Sequence, residues 1–382
     1  MEMNKWEKCI KRADTDTRKK RNIIKSKFFS ILKKNSFSEI DIPLLDYADT
    51  YIINNEYSMA QNNFKSVAPN GEIMSLPDDI ITALISYAQS DIGDSKKVCA
   101  ASEVYSFLAD DKNKVNEYSA GAVVYGEEGV ERECELILLA FEFVKALGVK
   151  NSEIVISNTS VLQGILNNFS GRKESRERLR RILNGQIEND IDYATSQTLA
   201  PFKKLEGTGT IIQEMAKKTD NKESIDGLLN LFDIFTIFEA YDINANIIFK
   251  PVYVGENRYD EGMVFKIVDE NKRTIIHGGR CDCVKGKENI KCIYMKIHTE
   301  NAIEVSSECG TLEEEDKKVI LAVAASKIAM NTAIKLRNDC ISEGLIVDIK
   351  YNANENDVIN LIKFNPKKAV LFIDEQGDIK HN

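Results

Sequence analysis

The chain has 382 residues, of which 43% are hydrophobic, 29% are charged and only 6 are proline. That balance excludes a disordered or collagen-like chain and leaves room for two or three domains around a large core. With 60 Asp and Glu against 51 Lys and Arg the formal net charge is -9, so the averaged field repels nucleic acid and anionic membranes, and nucleic-acid binding is not expected.

No uncharged apolar run reaches the length of a membrane span, and none is expected. The N-terminus carries Asp14 and Asp16 and no apolar run of signal length, so it is not read as a targeting peptide. The cysteines at 9, 99, 134, 281, 283, 292, 309 and 340 form no regular framework, which reads as reduced thiols of a cytoplasmic protein.

Residues 16–34 read as a basic amphipathic helix, with Ile23, Ile24, Phe28, Ile31 and Leu32 at helical spacing. Residues 37–43 alternate apolar and polar side chains into Pro43, the pattern of a strand at a sheet edge. Segments 63–67 and 73–76 flank Pro69-Asn70-Gly71 and predict an antiparallel pair. Pro77-Asp78-Asp79 then opens a helix whose apolar side is Ile81, Leu84, Ile85 and Ala88. Strands are predicted at 98–107 and 117–125, a helix at 131–147 ended by Gly148, and a strand at 154–156.

Residues 171–230 read as an inserted helical segment, beginning with the mixed but mainly basic run Arg172 to Arg181, whose charges fit a solvated helix face. Strand pattern returns at 245–254, 263–269 and 273–276. After Glu313-Glu314-Glu315-Asp316 the order strand, helix, strand, helix, strand over 319–373 predicts a small α/β unit. The expected organisation is α+β: an antiparallel sheet with helices over residues 1–310, interrupted around 171–230, and a tail domain over 317–382.

Several segments in this order resemble the histidyl-tRNA synthetase family of class II catalytic domains. Residues 37–46 resemble the family's first motif, which builds a dimer interface. The run 121–126, followed by Arg132-Glu133-Cys134-Glu135 and by 146–156, resembles a strand, a long helix and the return to the sheet. Gly278-Gly279-Arg280-Cys281-Asp282 is similar to the family's Gly-Gly-Arg-Tyr-Asp signature. The resemblance implies a class II synthetase-like core followed by a shortened anticodon-binding domain.

Against that family the catalytic groups are altered. Synthetase chemistry needs cations to hold the α-phosphate of ATP while a carboxylate attacks it. Tyr105 stands at the second motif's arginine, and Leu76-Pro77-Asp78-Asp79-Ile80 keeps a proline and carboxylate but loses the arginine and threonine. Ser119 and Val123 replace a glutamine and a glutamate, and residues 255–262 replace the histidine-recognition run, keeping only Tyr259 and Gly262 in type. In the last motif, residues 292–298 offer bulky side chains and Lys296 as the one cation. Such losses resemble the synthetase-like regulatory subunit of ATP phosphoribosyltransferase, the first enzyme of histidine biosynthesis, which does not charge tRNA and partners a short catalytic chain.

The resemblance therefore implies a noncatalytic regulatory or scaffold subunit, a homodimer through the first motif, and a short transferase chain as partner, with histidine or another small amino acid as a possible ligand. The alternatives are a diverged ATP-dependent ligase that activates an amino acid and a tRNA-associated structural protein. Candidate ligand-binding residues are Asp78, Glu103, Tyr105, Tyr118, Tyr259, Asp260, Glu261 and Arg280. Arg280 is read either as an ion pair with Asp282 beneath the pocket or as an anion contact with a neighbouring carboxylate. His277, Cys281, Cys283, Cys292, His298 and Cys309 invite a zinc reading, but their spacing is not that of zinc knuckles, so no metal and no cofactor are expected.

Overall fold

The computed structural model describes residues 13–48, 63–89, 96–106, 115–126, 129–167, 205–240, 245–251, 253–257, 259–285, 288–312, 318–365 and 368–381. Helical spacing near the N-terminus forms α1 (Thr15–Lys34), started by Asp14, whose Oδ1 accepts the Thr17 N–H at 2.8 Å. Ile24, Phe28, Ile31 and Leu32 are its buried face.

Eight strands form the main sheet, in the order β1 (Ser38–Glu39), β5 (Lys97–Tyr105), β6 (Asn116–Tyr125), β11 (Glu288–Ile297), β10 (Thr274–Lys285), β9 (Met263–Val268), β7 (Glu153–Asn158) and β8 (Asn246–Phe249). The six central strands are antiparallel, whereas β1 with β5 and β7 with β8 are parallel. Parallel neighbours need long crossovers, and the chain supplies one between β7 and β8 with α4 (Thr159–Asn167) and the later helices α5 (Thr210–Ala216) and α6 (Lys222–Ala240). Of the predicted insertion, residues 171–204, with the basic run, lie outside the described residues.

Two predicted strands are shorter than the sequence pattern suggested. The 37–43 segment pairs only through Ser38, Glu39 and the Ile40 N–H, which donates to Cys99 O at 2.9 Å. The 245–254 segment leaves the sheet after the Lys250 N–H bonds Ile156 O, because Pro251 has no N–H to continue the ladder. A separate small sheet, ordered β2 (Asp46–Tyr47), β4 (Ile73–Ser75), β3 (Lys65–Val67), contains the predicted antiparallel pair.

The two faces of the main sheet are covered differently. One packs against α1, α3 (Val130–Ala146), α6 and α7 (Thr299–Glu308), through Cys99, Ala122, Val124, Phe265, Ile267 and Met295 of the strands. Gly148, at φ 89°, ends the α3 segment in the left-handed conformation that the sequence predicted. The other face packs against α2 (Ile80–Gln89), whose Ile80, Ile81, Leu84 and Ile85 meet Val98, Ala100, Val123 and Tyr294.

Residues 1–312 and 313–382 separate into two units. The second contains β12 (Lys318–Val323), α8 (Lys327–Ser342), β13 (Ile346–Tyr351), α9 (Glu355–Phe364), β14 (Ala369–Ile373) and β15 (Ile379–His381), in sheet order β13-β12-β14-β15. Ser326 caps α8, and Asn354 with Asp357 forms a capping box on α9. The antiparallel β15 extends the five predicted elements. Among the described residues no helix is long and apolar enough to cross a membrane.

Candidate functional site

The segments that match the family's catalytic motifs converge on the α2-covered face. Register pairs Gly121 of β6 with Lys296 of β11, Lys296 with His277 of β10, and His277 with Lys266 of β9, so these side chains share one face. The next row is Val123, Tyr294, Gly279 and Val264. Residues of the 253–262 segment close over both rows.

The cluster is bonded to itself. Lys296 Nζ lies 2.6 Å from Asp79 Oδ2, and Asp79 Oδ1 accepts the Tyr259 hydroxyl at 3.1 Å and the Ile81 N–H at 2.7 Å. Tyr294 donates to Asp260 in a short hydrogen bond and accepts Asn257 Nδ2 at 2.8 Å. Asn257 Nδ2 also lies 3.2 Å from His277 Nε2, and His277 Nδ1 lies 2.8 Å from His298 Nε2. Glu256 turns Oε2 to His298 Nε2 at 3.9 Å and Oε1 to Lys266 Nζ at 3.6 Å. The rings of Tyr259 and Tyr294 pack edge to face at 5.5 Å.

Burial sets the ionisation of these groups. Burial alone would raise Asp79, but the Lys296 ammonium and three hydrogen bonds hold its carboxyl below the ordinary range. Burial opposes the charge on Lys296, and Asp79 and Glu117 nevertheless keep it above its ordinary value. His277 is pushed well down by burial and by His298, Lys296 and Lys266, and burial lowers His298 against the pull of Glu256. Tyr259 and Tyr294 are raised by burial and by the neighbouring carboxylates, so both phenols stay protonated.

Asp78 is pushed up to about 7 by burial and by the adjacent Asp79 charge. A carboxyl raised on folding is penalised once it ionises, so stability should fall as pH rises from about 4 to about 7, by on the order of 4 kcal/mol, and then level off. Asp78→Asn should flatten that slope, as read from denaturant unfolding at a series of pH values.

Of the residues singled out from sequence, Tyr259 and Asp260 are in this cluster. Asp78 precedes α2 and bonds Thr82, whereas the neighbouring Asp79 pairs with Lys296, an amine of the same chain. Glu103 and Tyr118 lie on the α1 side of the sheet instead. Arg21 of α1 bonds Glu103 at 2.8 Å and stacks over the Tyr118 ring at 5.1 Å, while Asn116 donates to the other Glu103 oxygen. Arg280 also points away, toward the buried Glu133 of α3 at 3.5 Å, a carboxylate other than Asp282, whose side chain lies outside the described residues. Tyr105 is half-buried at the end of β5, and the Glu261 side chain is exposed. Strand alternation separates these groups: Glu103 and Arg280 are each one residue out of phase with the site face.

Sequence reading missed Asp79, Asn257, and the association of Glu256, His277 and His298, whose ligand atoms all lie within 4.8 Å of one another. The signal was present for the imidazoles, since two of only three histidines flank the β10–β11 hairpin. The zinc reading had grouped them with cysteines. Cys281 and Cys292 in fact face each other one row beyond Tyr294, and Cys309 is exposed.

The profile of the family described as Histidyl-tRNA synthetase matches residues 11–290. An ATP phosphoribosyltransferase regulatory subunit of Clostridium novyi (strain NT) is 21% identical, covering 94% of this chain and 89% of that protein. One from Caldanaerobacter subterraneus subsp. tengcongensis is 26% identical over 69% of this chain and 72% of that protein. A Bacillus halodurans structure described as an ATP phosphoribosyltransferase regulatory subunit/histidyl-tRNA synthetase superposes with a TM-score of 0.75 at 16% identity, covering 95% and 96% of the two chains. A histidyl-tRNA synthetase from Nostoc sp. PCC 7120 gives 0.74 at 14% identity, covering 92% of this chain and 87% of that one. At those identities the structural likeness speaks for the fold, and the profile match speaks for descent. With the motif segments gathered on one face of a class II sheet, the chain belongs to the histidyl-tRNA synthetase family, on a fold related to the ATP phosphoribosyltransferase regulatory subunits.

Proposed function

We propose that the chain is a noncatalytic, synthetase-like subunit that assembles with a short ATP phosphoribosyltransferase chain and regulates or scaffolds it in histidine biosynthesis. The observation that carries this reading is the Asp79–Lys296 pair. The one cation offered by the last motif is bound by a buried carboxylate at 2.6 Å, beneath Tyr259 and Tyr294, rather than held ready for a phosphate. The same pairing sets an internal amine against a carboxylate at the start of α2, which favours assembly over amino-acid sensing as the primary role.

The test is to mix the purified chain with a short transferase chain and measure both co-elution and turnover. The reading expects a stable complex and a gain in transferase rate. Absence of co-elution at micromolar concentrations would remove the assignment to that enzyme without touching the fold.

A homodimer is part of the proposal. Val67 and Ile73, paired across the small sheet, are exposed on one of its faces, and Leu44 and Leu45 are exposed in the segment resembling the dimer-forming motif. Exposed apolar side chains of this kind are suited to an isologous contact with a second copy. Val67→Asp with Ile73→Asp should shift the chain from dimer to monomer in sedimentation velocity with little change in folded-state circular dichroism.

A further inference from the structure

We infer that Glu256, His277 and His298 form a binding site for one divalent transition-metal ion of the zinc class. The three residues come from separate segments: the loop before β9, the first third of β10, and the junction of β11 with α7. Their donor atoms nevertheless converge within 4.8 Å. Two imidazole nitrogens and one carboxylate oxygen are a donor set suited to zinc or cobalt rather than magnesium or calcium, which prefer all-oxygen shells.

The surroundings support the donors in the manner of metal sites. Lys266 engages Glu256 Oε1, leaving Oε2 for the imidazoles. Asn257 contacts the ring nitrogen of His277 that faces away from His298. Ligand carboxylates and histidines are normally held from behind in this way. His277 is buried, whereas the Glu256 and His298 side chains keep 25% and 29% of their surface, which gives an ion a route in.

The local charge also permits a cation. Lys266 and Lys296 face the histidines, but Glu256 and Glu117 oppose them and Asp79 neutralises Lys296 directly. In the hydrogen-bonded form the Asn257 amide donates to His277 Nε2, so Nδ1 carries the proton and donates to His298 Nε2. An ion on Nδ1 takes that proton's place. The imidazole then carries its proton on Nε2, and the Asn257 amide turns to accept it through Oδ1.

Calorimetric titration of the full chain with zinc chloride, after chelator treatment and under reducing conditions, tests the site. One equivalent should bind, and Glu256→Gln and His298→Gln should each weaken it at least about tenfold. Cobalt substitution separates these donors from the cysteines: the bound ion should show a visible d–d spectrum without a thiolate charge-transfer band. The Glu256 side chain is partly exposed, so its amide variant should keep the wild-type thermal transition without metal and isolates ligation from folding. Equal zinc affinity in wild type and both variants, or a cobalt spectrum dominated by thiolate, would overturn the assignment.

Discussion

Lys296→Met should destabilise the larger unit by about 3–5 kcal/mol, the scale expected when one partner of a buried ion pair is removed and the other is left without compensation. Asp79 is 7% exposed, and the Lys296 side chain is nearly as enclosed at 12%. In the variant, burial would raise the Asp79 carboxyl, so the defect should be smaller in acid, where that group is protonated in both states. In the wild type the pair's contribution is present above the ordinary carboxylate range and is lost as pH falls through the lowered folded value. Asp79→Asn combined with Lys296→Met should recover most of the loss, since the stranded charge is gone. Urea unfolding of the two variants and wild type at pH 5 and pH 8 reads both effects. Equal stability of Lys296→Met and wild type would mean that the pair does not organise this face.

Gly278→Ala should be the second large defect, at the upper end of the roughly 1–3 kcal/mol that overpacking costs. Gly278 lies where β10 approaches its neighbours closely. A Cβ there would stand inside the contact distance of the Tyr294 carbonyl oxygen on β11 and 2.6 Å from the Phe265 ring on β9. Neither can yield cheaply, because one is backbone and the other is fully buried in the core. The same methyl at Gly71, which has nothing within 4 Å, meets no neighbour but does sit at positive φ, so its cost is limited to backbone strain. Thermal unfolding of Gly278→Ala and Gly71→Ala separates the two effects, and similar values would contradict the packing explanation.

The fold was legible where pattern is local. The Ile24, Phe28, Ile31 spacing defines α1, and the β-prone runs around Val123 and Val264 define strands that the sheet contains. The site was less legible because it depends on which face each strand presents and on cross-strand register. Tyr259 and Asp260 lie in a segment matched by motif, and they do join the cluster. Glu103, Tyr118 and Arg280 are chemically suitable but project to the other face, where Arg21 and Glu133 engage them. Asp78 and Asp79 illustrate the limit most sharply: adjacent carboxylates at a helix start look equivalent in sequence, and only the position of Lys296, 217 residues further on from Asp79, selects between them.

The consequence for function is that descent from an adenylate-forming fold and retention of adenylate chemistry are separate questions. The resemblance implies that cations and polar groups of the family's motifs are lost, and Asp79, Asn257, Tyr259, Tyr294 and Lys296 bond one another across the start of α2, β11 and the 253–262 segment. Losing a single oriented transition-state donor can cost roughly 3 kcal/mol of barrier, and here several are replaced together. The most direct measurement is ATP–pyrophosphate exchange by the purified chain with histidine and each other common amino acid. The account predicts no exchange above the no-enzyme background with any of them, and amino-acid-dependent exchange that disappears on substitution of Lys296 would contradict it.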